Sequence, residues 1–101
     1  MTKLETEFTK TLLKNIAEAE RLTGVAEPQL VSQAEKLGGA GAVRGLLKRG
    51  VYSRQFQPLQ KKGRLDLSPE YLVTQGKYAE LFTDEEADVC LEALLEGGAF
   101  S

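Results

Sequence analysis

From Leu4 to Leu22 the apolar residues fall at positions 4, 8, 12, 13, 16, 19 and 22, separated by Lys, Glu, Thr and Asn. That spacing follows one face of a helix, and Gly24 marks its end. Pro28 opens a second segment, PQLVSQAEKL, in which Leu30, Val31, Ala34 and Leu37 again share a face before Gly38. The run GGAG reads as a joint to a third helix, AVRGLLKR, with Val43, Leu46 and Leu47 apolar and Gly50 supplying a left-handed cap. In SRQFQPLQKKG, Ser53 is placed to cap a short turn, which Pro58, lacking an N–H, is expected to disturb.

Two further starts are spelled out within GRLDLSPEYLVTQGKYAELFTDEEA, residues 63–87. Ser68 fits an N-cap with Pro69 at the first helical position, and Leu67 and Leu72 have the spacing of a hydrophobic staple. Thr83 and Glu86 have capping-box spacing, and Phe82 and Ala87 form a second staple. Ala87, Cys90, Leu91, Leu94 and Leu95 then read as the apolar stripe of a last helix before Gly97 and Gly98. No alternating β-branched run and no Asn-Gly or Asp-Gly turn signals a strand. The pattern predicts an all-α fold: a compact single domain over residues 1–101, with a long N-terminal helix followed by shorter ones, five or six in all. Phe8, Leu12, Ile16, Val43, Leu47, Phe56, Leu72, Phe82, Leu91 and Leu94 are its expected core.

The motif G-x-L-D-L-S-x-E followed by L-F-T-x-x-E is carried here by Gly63, Leu65, Asp66, Leu67, Ser68 and Glu70, then Leu81, Phe82, Thr83 and Glu86. It resembles a motif of small uncharacterised proteins of bacteria and their mobile elements. Phe56 and Leu59 fit as well, and the resemblance spans roughly residues 39–96. It implies this fold and a bacterial or phage setting. That group has no established activity, so the resemblance brings no catalytic residues with it.

Composition narrows the chemistry. The chain of 101 residues is 42% hydrophobic and 28% charged, enough for one core and unlike a disordered segment. The charged opening MTKLETEFTK lacks the apolar run of a signal peptide, and no window approaches a membrane span, so a cytoplasmic protein without membrane contact is expected. There is no histidine, which removes Ser–His and Cys–His activation; with Cys90 as the single cysteine, the common zinc sites go too. Cys90 reads as a buried structural thiol. Asp66 and Glu70 stand one turn apart, but Ser68 and Pro69 place a helix boundary between them, so capping and surface roles are expected rather than acid–base work. The acids at 84, 85, 86 and 88 lack EF-hand spacing and suit a helix N-terminus. The glycines at 38, 39 and 41 lack the strand and the Gly-Lys-Ser/Thr of a P-loop. No catalytic constellation, cofactor site or metal site emerges, and a non-enzymatic binding module is expected.

Charge is distributed unevenly. Residues 37–64 hold seven bases, Arg44, Lys48, Arg49, Arg54, Lys61, Lys62 and Arg64, and no acid. Residues 65–101 hold nine acids and one base, and residues 1–36 are almost balanced, for a net charge of −2. A basic middle of this kind steers an anionic partner, either nucleic acid or an acidic protein surface, unless the acidic C-terminal segment lies against it. A helix-turn-helix placement, with 28–37 first and 41–49 second, is allowed by spacing. The would-be reading helix has neither Asn nor Gln for base edges, so contacts would go mainly to phosphate.

Overall fold

Side-chain caps open three of the six α-helices. The computed structural model describes residues 2–99, all of whose regular structure is helical. Helix α1 spans Lys3–Thr23, opened by a capping box in which the Thr2 hydroxyl accepts from Glu5 N (3.1 Å) and the Glu5 carboxylate accepts from Thr2 N. Helices α2 (Pro28–Leu37), α3 (Gly39–Arg49) and α4 (Phe56–Lys61) follow. After a 3-10 turn at Leu65–Leu67 come α5 (Pro69–Val73), a second 3-10 segment (Gly76–Leu81) and α6 (Asp84–Glu96). Ser68 and Thr83 cap α5 and α6 as expected, each hydroxyl accepting an N–H at 3.1 Å, and Thr83 completes its capping box with Glu86.

Helices α1, α2 and α3 pack together, α5 lies between α1 and α6, and one globule with a Cα radius of gyration of 12.3 Å results. One core cluster joins Phe8, Leu12 and Ile16 of α1 to Leu30, Val43, Leu72, Val73, Tyr78 and Cys90. Phe8 meets the Tyr78 ring edge-on at 5.0 Å, a favourable aromatic geometry. A second cluster gathers Ala19, Phe56, Leu59, Leu65, Leu67, Ala93 and Leu94 beneath the chain's C-terminal part.

Four sequence expectations change. Leu91, expected in the core, is 40% exposed, and Leu95 is more exposed still, while Ala93 is buried. In α6 the apolar residues spread over more than one face, and packing on α5 selects Cys90, Ala93 and Leu94. The glycine run is the first turn of α3, and the joint is Gly38 alone, with φ 84° and ψ 158°, a region essentially closed to residues bearing a Cβ. Gly39 lets α3 press on α1, because a Cβ there would lie 2.9 Å from the Thr9 Cα. Pro58 sits in the first turn of α4, where an N–H has no intrahelical partner, so it leaves the helix intact. Ser53 does not cap that helix; it is buried and engaged elsewhere.

Candidate functional site

The connection from α3 to α4, residues 51–55, alternates between inside and outside. Ser53 and Gln55 are buried, whereas Val51, Tyr52 and Arg54 are exposed. Two buried carboxylates hold the inner residues. Glu70, from α5, accepts from Ser53 N at 2.9 Å through one oxygen and from Ser53 Oγ at 3.0 Å through the other. Glu27, just before α2, accepts from Gln55 N at 2.7 Å. The Gln55 side-chain amide donates in turn to the carbonyls of Ile16 (3.2 Å) and Val25 (2.7 Å). Four separate stretches of chain thus meet at this connection.

Glu70 corrects the expectation of a surface or capping residue: only 3% of it is exposed. Burial raises its pKa, opposed by the hydrogen bonds from Ser53. The pKa of Glu27 is raised as well, first by burial and to a smaller extent by the negative charge of Glu70. Sequence pattern offers no sign of either, because an acid between apolar residues reads as part of a solvated face.

Above this pinned connection lies a groove of about 480 Å³. One wall is α2, through Gln29, Ser32 and Gln33; the other is α3 and the connection, through Leu46, Arg49, Val51, Tyr52 and Arg54. The Tyr52 ring is 49% exposed, yet packs at 4.8 Å on the ring of buried Phe56. A smaller recess, also bordered by Tyr52 and Val51, is lined by Leu47 and by Val89 of α6.

The seven basic residues divide. Arg44 is drawn to α6: it pairs with Glu86 at 3.2 Å, donates to the Leu81 carbonyl and lies over the Phe82 ring. Arg64 pairs locally with Asp66 at 3.1 Å. Lys48, Arg49, Arg54, Lys61 and Lys62 are exposed and make no ion pair with any described residue. Arg49 and Arg54 share the groove; Lys61 and Lys62 lie at the end of α4. The acidic C-terminal segment therefore neutralises two cations of the basic middle, Arg44 and Arg64, and the other five face solvent.

Two anion readings lose their geometry. The Gly39 N–H at the start of α3 donates to Thr9 Oγ1 at 2.8 Å and is not free to hold a phosphate. A helix-turn-helix needs a turn of three or four residues, where α2 and α3 are joined by one; Ala42 and Val43, on the would-be reading helix, are buried. Among the described residues no helix is long and apolar enough to cross a membrane, and no three His, Cys, Asp or Glu side chains converge as metal ligands would.

Fold and groove together describe a small helical protein with a recess lined by Arg49, Arg54 and Tyr52 and also by the buried Glu27. Comparison of the chain with protein-family models, with curated proteins and with solved structures gave no match.

Proposed function

We propose that the protein is a non-enzymatic α-helical binding module of bacterial or phage-like origin, acting in the cytoplasm, that associates with nucleic acid through the basic segment 37–64. The observation that carries this reading is the set of five exposed cations with no ion pair among the described residues, two of them beside the exposed Tyr52 in one groove. Unpaired surface cations attract a polyanion by releasing its counterions, and an aromatic ring among them adds a base-stacking surface. The setting rests on the resemblance of the motif at residues 63–86 to that of small bacterial and mobile-element proteins.

A salt titration tests it. Affinity for a short labelled oligonucleotide should fall steeply with salt, with a slope of log K against log salt near −0.9 per neutralised phosphate for duplex and near −0.7 for single strands. Reversing Lys48, Lys61 and Lys62 to Glu should weaken binding to all sequences alike, because phosphate contacts carry no base information. Folding should survive, since all three are exposed. Absence of binding to either form at low salt overturns the reading. A second reading, docking of an acidic protein surface by charge complementarity, is favoured by the half-exposed Val51, Tyr52 and Val89 beside the cations. Under it the same reversals would abolish protein binding only.

A further inference from the structure

The groove itself narrows the class of nucleic acid. We propose that it takes an unpaired nucleobase, with Tyr52 as the stacking platform and Arg49 and Arg54 on the adjoining phosphates, so that the ligand is single-stranded. This rests on the nucleic-acid reading above.

Three observations bear on it. First, the Tyr52 ring is exposed and already fixed. One side packs on Phe56 at 4.8 Å with a 39° tilt, and Phe56 is itself 3% exposed. A ring held this way gives up little conformational freedom on stacking, and every base has a π-face to offer it.

Second, the connection is held in place at a cost. Glu27 and Glu70 are each about 3% exposed, and a buried carboxylate is expensive unless well bonded. What the pair secures is the backbone at Ser53 and Gln55. With those two residues facing inward, Tyr52 and Arg54 face outward. A surface loop needing only to join α3 to α4 would not require two buried acids; one that presents a ring and a guanidinium at fixed positions gains by them.

Third, the groove has the scale and lining of a small-ligand site. Its volume of about 480 Å³ admits a nucleobase. Arg49 and Arg54 provide planar donors matched to phosphate oxygens. Gln29 and Gln33, one turn apart on α2, add amides that both donate and accept toward a base edge. No helix stands free to enter a major groove here, because α3 buries Ala42 and Val43 and its Arg44 is committed to Glu86.

The test compares one labelled strand, the same strand as a duplex, and an abasic strand of equal length, using the full chain. Wild type is expected to bind the base-bearing strand more tightly than the other two. Tyr52→Ala should weaken that binding roughly 5- to 150-fold, the range for loss of one stacked base, and leave abasic affinity unchanged. Tyr52→Phe should retain it. Because Tyr52 covers Phe56, Tyr52→Leu is measured alongside: it keeps apolar cover without an aromatic face and should lose base preference while melting like wild type. Arg49→Gln and Arg54→Gln should each flatten the single-strand salt slope by about 0.7. Equal affinity for all three ligands, unchanged in Tyr52→Leu, overturns the single-strand assignment and leaves the nucleic-acid reading standing. No binding to any of them overturns both.

Discussion

Replacing Glu70 by Gln and by Ala separates what its hydrogen bonds contribute from what its charge costs. Gln can keep both contacts: its carbonyl oxygen accepts from Ser53 N, and its NH2 donates to a Ser53 hydroxyl turned to accept. Ala keeps neither. It leaves the buried Ser53 N–H without a partner, at about 1–3 kcal/mol, and removes one buried methylene, worth about 0.8 kcal/mol. Glu70→Ala should therefore lose ~2–4 kcal/mol in urea denaturation at acid pH, and somewhat less where the removed carboxylate was ionised. The pH dependence has a definite sign. The folded pKa of Glu70 lies above its ordinary 4.5, so the stability it contributes is fully present below 4.5 and is lost as pH rises through the folded value. Glu70→Gln has no such proton to lose. Its stability relative to wild type should rise as pH goes from below 4.5 to neutrality, ending at or above wild type. If Glu70→Gln is as damaging as Glu70→Ala at neutral pH, or if its difference from wild type is flat across the range, the reasoning fails.

Two contrasts test the packing, each by thermal or urea melts. Gly39→Ala should cost about 1–3 kcal/mol, because its methyl meets the Thr9 backbone at 2.9 Å; Gly45→Ala, in the same helix with nothing within 4 Å of the new methyl, should stabilise by about 0.5–1 kcal/mol. Leu94→Ala should cost ~2–5 kcal/mol, since Leu94 is fully buried, whereas Leu91→Ala should cost about 1 kcal/mol or less.

What could be read in the sequence was local. Thr83 with Glu86 and Ser68 with Pro69 announce helix starts because a cap and its partner lie within one turn, and those helices begin where expected. The long α1 is equally legible, its apolar residues being confined to one face. The phase of α6 was not, because Val89, Leu91 and Leu95 are as apolar as the residues that are buried, and only docking against α5 decides among them. The seven cations were visible as a run; that Arg44 would leave them for Glu86, more than forty residues away in the chain, was not. Least visible was the pinned connection. Glu27, Ser53, Gln55 and Glu70 come from three segments, and pairings at such separations leave no periodic trace.

Cys90 carries a practical consequence. The side chain is fully buried, and burial, reinforced by the negative charges of Glu70 and Glu86, pushes its thiol up to about 12. At neutral pH it is therefore protonated and out of reach of an alkylating reagent or oxidant, since only the thiolate attacks. Modification has to wait for the interior to open. The rate at which a thiol reagent captures this single cysteine becomes a clock on that opening, and no dye or engineered probe is needed to run it.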